Sequence, residues 1–207
     1  LIQTIMRKST IFSSGSLRRQ IFKSLAFGIG GMLCFSLASA QMTGNNWTIN
    51  SNNPTSGSNF NSFADFQSAL TTNGISGAIT VTVAPGSGPY NEQLVLGSIS
   101  GTGPGAGGSR IDVTIVGNGE KLSYNGGNTE NATITLNGTD YITFQNLVIE
   151  RGSSGSYKWG VRIYNNADNI RFDSCKFEMG SYTTSNWVAI MLSGSNTSRF
   201  NYNTHGD

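Results

Sequence analysis

Apolar residues recur at helical spacing in one early stretch. Phe63, Phe66, Ala69 and Leu70 fall on a single face. Ser62 and Asp65 form a capping-box-like S-x-x-D pair at its start, and Asn73-Gly74 supplies a left-handed stop. A helix of about ten residues is marginal alone in water, so its Phe face must dock on something. Beyond it the period changes to two. Ile79, Val81 and Val83 alternate up to Pro85-Gly86, Leu94 and Leu96 follow, and Ile111, Val113 and Ile115 alternate before Gly117-Asn118-Gly119. Gly97 to Ser109 reads as a long Gly-rich loop, flexible over Gly101 to Gly108. Residues 41–59 show no apolar periodicity and read as a linker or irregular lead-in.

A repeat then emerges. Ala132 to Glu150 (ATITLNGTDYITFQNLVIE), Trp159 to Glu178 (WGVRIYNNADNIRFDSCKFE) and the stretch from Trp187 (WVAIMLSGSNTSRFNYN) overlay at a step of 28 residues. Phe144, Phe172 and Phe200 coincide, as do Ile142 with Ile170, Asp140 with Asp168, and Glu150 with Glu178. Gly138, Asn166 and Gly194 share a turn position. A fixed step of this size marks a solenoid in which each repeat is one supersecondary unit. The first unit predicts strands at 133–136, 141–144 and 147–150, with successive units pairing in parallel. In the second unit strict alignment would turn Arg162 and Tyr164 inward. Val161 and Ile163 are therefore taken as the inward pair, with one extra residue in the Asn165-Asn166-Ala167 turn.

Composition narrows the class. Charged residues are only 12%, with Gly at 27 residues, which excludes an ordinary helical bundle. Hydrophobic residues at 37% and only 4 Pro argue against disorder, leaving turn-rich all-β. The net charge of +2 conceals a segregation. Arg7, Lys8, Arg18, Arg19 and Lys23 precede position 41, and all 11 acids follow it, so the remainder is about −3. No electrostatic footprint for nucleic acid remains. Residues 1–40 read as an export signal: Arg18-Arg19 and Lys23, then the apolar Leu25 to Leu37, then Ala38-Ser39-Ala40 as a small-x-small cleavage site. The apolar run is too short for a transmembrane anchor. Cys34 leaves with the signal, so Cys175 belongs to no disulfide framework and reads as a small buried hydrophobe.

Phe63 to Leu94 (FADFQSAL through GISGAITVTVAPGSGPYNEQL), followed by GTDYITFQNLVIE, resembles the N-terminal cap and first coils of secreted right-handed parallel β-helix proteins. This is the pectate-lyase-like superfold, of the type found on Gram-negative bacterial surfaces. The resemblance implies an all-β solenoid over residues 60–207 with one N-terminal capping helix that hides a strand edge. It also implies further coils of the same polypeptide beyond a truncated C-terminal end. Pro89-Tyr90-Asn91-Glu92 is similar to the opening segment of the pectin esterases. An esterase would, however, show Gln-Asp-Thr-Leu-Tyr after Cys175-Lys176-Phe177, where this chain has Glu178-Met179-Gly180-Ser181-Tyr182. No Asp-Asp pair and no Arg-Ile-Lys of the hydrolase type is present, so no catalytic residue is assigned. The expectation is a non-enzymatic, exported module of a cell-surface or secreted protein, adhesive or glycan-binding. The alternative is the N-terminal part of a polysaccharide lyase or carbohydrate esterase.

Asp140 and Asp168 occupy equivalent turns. Stacked, their carboxylates would take Ca²⁺ or serve acid/base chemistry, or each would cap its own turn. No other cofactor is called for. Glu150 and Glu178 stack likewise, with Arg151 and Lys176 near enough in sequence to neutralise them. His205 is the only histidine and aligns with no nucleophile, no His/Cys cluster suggests zinc, and Gly101 to Gly108 lacks the lysine of a phosphate cradle. Trp159 and Trp187 are 28 residues apart, each preceded by a Tyr, Tyr157 and Tyr182. On adjacent coils these four would form a strip, either a platform for a polysaccharide or cell-surface glycan or a buried aromatic ladder. Mass analysis of the secreted form should find Gln41 as the first residue. A retained N-terminus would overturn the export-signal reading.

Overall fold

The computed structural model describes residues 40–127, 129, 131–180 and 186–194. The segment 1–40, read from sequence as an export signal, lies almost wholly outside them, as do Tyr182, Phe200 and His205. No helix among the described residues is long and apolar enough to cross a membrane.

The strands are drawn largely from runs rich in β-branched and aromatic residues, which suit a pleated, half-buried surface. They are β1 (Met42–Ile49), β2 (Asn59–Phe60), β3 (Ile75–Val83), β4 (Tyr90–Asn91), β5 (Leu94–Leu96), β6 (Gly103–Pro104), β7 (Arg110–Ile111), β8 (Val113–Val116) and β9 (Lys121–Tyr124). There follow β10 (Ala132–Asn137), β11 (Ile142–Gln145), β12 (Val148–Arg151), β13 (Lys158–Tyr164), β14 (Ile170–Asp173), β15 (Lys176–Glu178) and β16 (Trp187–Leu192). The one α-helix, α1, spans Phe63–Asn73.

The strands assemble into three parallel sheets. The first has the order β14-β11-β8-β3-β1-β2, the second β15-β12-β9-β4, and the third β16-β13-β10-β5. The chain visits first, second and third sheet in turn and then repeats. Each circuit contributes inward residues in register: Val81, Ile115, Phe144 and Phe172 in the first sheet, and Leu122, Ile149 and Phe177 in the second. Leu94, Ile134, Val161 and Ile190 do the same in the third. These columns make one apolar core. Phe144 and Phe172 stack with centroids 5.2 Å apart and planes only 8° from parallel. The pairing of Val161 with Ile134 and of Ile163 with Leu136 agrees with the inward assignment made from sequence.

The bends between sheets rest on backbone that few side chains tolerate. Asn118, Tyr141, Asn146, Asn165, Asn166, Asn169 and Ser174 all have φ between 47° and 56°. Asn tolerates this left-handed region better than most residues, which accounts for its abundance at the corners. Gly117 has a different reason. A Cβ there would lie 2.6 Å from the Leu147 backbone of the next circuit, so only glycine permits that approach.

Helix α1 starts and stops as the sequence predicts. Ser62 Oγ accepts from the Asp65 N–H at 3.0 Å, and Gly74, at φ 62°, donates its N–H to Leu70 O. Glu92 adds a second cap, its two carboxylate oxygens accepting from the Phe63 and Ala64 N–H groups at 2.9 Å each. Phe63, Phe66 and Leu70 are buried. Gln67 Oε1 accepts from the Val95 N–H at 2.9 Å, so the helix occupies the edge of β5 where another strand would otherwise pair.

Three expectations are corrected. Residues 41–59 are not a linker: Met42–Ile49 is a strand whose Met42 and Ile49 are buried. It lacks apolar alternation because it pairs with β3 across two register shifts, between Met42 and Gly44 and between Gly44 and Trp47. The Gly97–Ser109 loop is not loose. Ile99 is buried, Ser100 O accepts from the Ile75 N–H, and β6 and β7 form a short antiparallel pair. The step is also not uniform. It is 29 then 28 from β8 through β11 to β14, 27 then 28 from β9 through β12 to β15, and 27 then 29 from β10 through β13 to β16.

Phe66→Ala should lower unfolding free energy by about 3–5 kcal/mol, the usual cost of truncating a fully buried Phe. Denaturant titration of the two chains measures it.

Candidate functional site

The outer face of the third sheet carries a groove of about 200 Å³. One row crosses three circuits in register: Val95 on β5, Thr135 on β10 and Arg162 on β13. Gln93, Asn131 and Tyr164 complete the main polar lining. Alternation along β10 and β13 puts Leu136 and Ile163 into the core and turns Thr135, Arg162 and Tyr164 outward. Arg162 is nine-tenths buried. Its Nε donates to Ser193 O at 2.9 Å and Nη2 to Gly194 O at 2.6 Å, while its guanidinium lies 4.0 Å from the Tyr164 ring centroid. Burial pushes its pKa below the ordinary arginine value, with the Tyr164 side chain opposing. Gln93 Nε2 donates to Ala132 O at 2.7 Å, so its carbonyl oxygen remains as an acceptor at the groove wall. The groove thus combines amides, a hydroxyl, a phenol and a guanidinium-backed aromatic face. The sequence reading missed it because it is assembled from three circuits and no local motif marks it.

The expected aromatic strip does not assemble. Trp159 pairs with Val188, and Trp187 pairs with Lys158, one position out of register. One extra residue between β15 and β16 causes the offset. Trp159 is fully buried in a small cluster with Ala132, Tyr157, Val188 and Met191, separate from the main core. Among the described residues its indole N–H has no hydrogen-bond partner. Tyr157 meets it edge-on at 6.1 Å. The Trp187 ring sits instead against the Lys158 Nζ, 4.7 Å from its centroid. Neither indole therefore stacks on the other, and Trp159 offers no face to a ligand.

Asp140 and Asp168 do meet across circuits. Asp140 Oδ1 accepts from the Asp168 backbone N–H at 2.9 Å, and Asp168 Oδ1 accepts from Asn169 Nδ2 at 2.5 Å. Asn165 Nδ2 donates to Asn137 Oδ1 at 2.7 Å beside them. Asp140 thus ties one circuit to the next, where an Asx cap within its own turn was one of the two readings. Among the described residues no three His, Cys, Asp or Glu side chains gather into a metal cluster. Cys175 is partly buried, its thiol pKa pushed up by that burial.

Arg151 corrects another expectation. It does not neutralise Glu150. Successive strand residues face opposite ways, and Arg151 turns in, almost fully buried, to donate to the carbonyls of Tyr124, Gly126 and Asn131 at 2.8–3.0 Å. Burial lowers its pKa. The neutralising cation is Lys121, 3.4 Å from Glu150 and 2.6 Å from Glu178, with Lys176 2.7 Å from Glu178. Hydrogen bonds from Lys121 and then Lys176 hold the Glu178 pKa at about 2, below the ordinary 4.5. The Lys121 pKa is raised in turn, chiefly by Glu178.

Because Glu178 is depressed in the folded chain, its contribution is complete above the unfolded value and is lost as pH falls from about 4.5 through about 2. The group is solvated, so the effect should stay below about 1 kcal/mol. Thermal unfolding across that range should show a falling midpoint in the parent chain and a smaller fall in Lys121→Ala.

No protein-family model, curated protein or solved structure matches this chain.

Proposed function

We propose that this chain contributes the opening coils of a right-handed parallel β-helix of pectate-lyase-like type. In this reading it serves as a non-catalytic module of an exported cell-surface or secreted protein, binding a glycan in the groove on its third sheet. Three parallel sheets visited in fixed order support the solenoid. The right-handed sense follows from the general rule for parallel crossovers.

The groove is the observation that carries the binding role. Side-chain amides, hydroxyls and one aromatic face are the groups that match a sugar ring, with its polar edge and apolar faces. Their rigid support matters equally. Val95, Thr135 and Arg162 stand on paired strands and are fixed by the ladder beneath them. The non-catalytic part draws support from what the carboxylates do. Glu92 caps α1, Glu120 accepts from the Gly86 and Gly88 N–H groups, Asp140 accepts from Asp168, and Glu150 and Glu178 hold Lys121. Each has a structural partner that a catalytic acid would have to leave.

The full chain, tested by affinity electrophoresis against a panel of neutral and acidic polysaccharides, should be retarded by at least one. Tyr164→Ala and Gln93→Ala should each weaken that retention by about tenfold, a loss of roughly 1.4 kcal/mol, at a temperature where both variants remain folded. No retardation by any polysaccharide, or retention indifferent to both changes, would sink the reading.

A further inference from the structure

The sequence holds four Asn-Gly steps: Asn73-Gly74, Asn118-Gly119, Asn125-Gly126 and Asn137-Gly138. Such steps can rearrange on their own, because glycine leaves its backbone nitrogen open to approach by the preceding side-chain amide. Three of them are locked here. The Gly74 N–H donates to Leu70 O at 2.9 Å, Gly119 to Asn146 O at 2.7 Å, and Gly138 to Tyr164 O at 3.0 Å. A nitrogen engaged in this way keeps its proton and is held in place. Among the described residues the Gly126 N–H has no such acceptor.

The surroundings of Asn125 favour reaction. Its side chain is exposed, and Oδ1 accepts from the Ser154 backbone N–H at 2.9 Å. That donor withdraws charge from the amide carbon and would stabilise the oxyanion formed on attack. The Arg151 guanidinium donates to Tyr124 O at 3.0 Å and to Gly126 O at 2.8 Å, on either side of the Asn125-Gly126 step. A buried cation at this distance favours the deprotonated amide nitrogen that attacks. The same two bonds fix the segment, and Gly152 leaves it room: a Cβ at Gly152 would lie 2.4 Å from Asn125 Oδ1.

We propose that Asn125 is a self-modifying site. The Gly126 nitrogen attacks Asn125 Cγ and forms the N–Cγ bond of a five-membered imide. The Cγ–Nδ2 bond breaks, and the side-chain nitrogen leaves as ammonia, its two hydrogens joined by the proton that Gly126 gives up. Water then adds to either imide carbonyl and opens the ring, giving aspartate or isoaspartate. No electrons are transferred. The product places a carboxylate in the loop that Arg151 holds.

The test ages the full folded chain in mildly alkaline buffer beside a denatured control and maps peptides by mass spectrometry. In the folded chain, Asn125 should convert at least about tenfold faster than Asn73, Asn118 or Asn137, the rate equivalent of roughly 1.4 kcal/mol in barrier. Both aspartate and isoaspartate should appear at position 125, each carrying one oxygen from labelled water. Denaturation should bring the four rates together. Conversion at Asn125 no faster than at the other three, or only in the denatured control, would overturn the proposal. Aspartate without isoaspartate would overturn the imide route.

Discussion

Parallel pairing forbids the short way back. A strand that pairs in parallel with its predecessor must first leave the sheet, travel and return from the same end. Here the return runs through two other sheets, so every pair in one sheet depends on the bends that deliver the chain to it. Those bends repeat a single device, a residue in the left-handed region: Tyr141 and Asn169 at one corner, Asn146 and Ser174 at another. Corners of matching geometry let the inward columns coincide, and the stacked Phe144 and Phe172 rings are the visible result.

Columns of apolar residues leave backbone groups at the ends and corners unaccounted for. Side chains take them up. Gln67 serves the edge of β5, Glu92 the start of the helix, Glu120 the turn at Gly86 and Gly88, and Arg162 the carbonyls of Ser193 and Gly194. Arg151 does the same for the carbonyls of Tyr124, Gly126 and Asn131. Among the described residues, charged side chains divide between backbone groups, as with Glu92, Glu120, Arg151 and Arg162, and ion pairs, as with Lys121, Lys176, Glu150 and Glu178. The groove benefits indirectly. Arg162 is held by the Ser193 and Gly194 carbonyls, and it in turn backs Tyr164.

The helix and the columns were legible in the sequence because each rests on spacing within a few residues. Ser62, Asp65, Phe66 and Gly74 identify α1 unaided, and the Phe144–Phe172 interval announces the step. The slip that turns Val161 inward was legible too, since the opposite choice would bury Arg162 and Tyr164 in the core. Strand β1 was not. Its Thr, Gly and Asn residues are held by pairing with β3, a partner some thirty residues away that supplies the order its own pattern lacks. The Trp159–Trp187 offset was hidden because identical spacing is not identical register once a loop gains a residue. The role of Lys121 was hidden for a related reason: it reaches Glu178 two circuits on, beyond any local pattern. The groove is nonlocal in the same sense, being a property of three neighbouring strands and of no one segment.

The uneven steps bear on how such a chain changes over time. Intervals of 27, 28 and 29 residues sit side by side among the three sheets, and the ladders keep their register regardless. A bend therefore acts as a buffer: a residue gained there is absorbed before the next sheet begins. Length can vary loop by loop without unpicking the ladders, and the segments 152–157 and 165–169 become places where new sequence can be carried on an unchanged frame. Heredity can edit the outside of the molecule one residue at a time while the inside keeps its count.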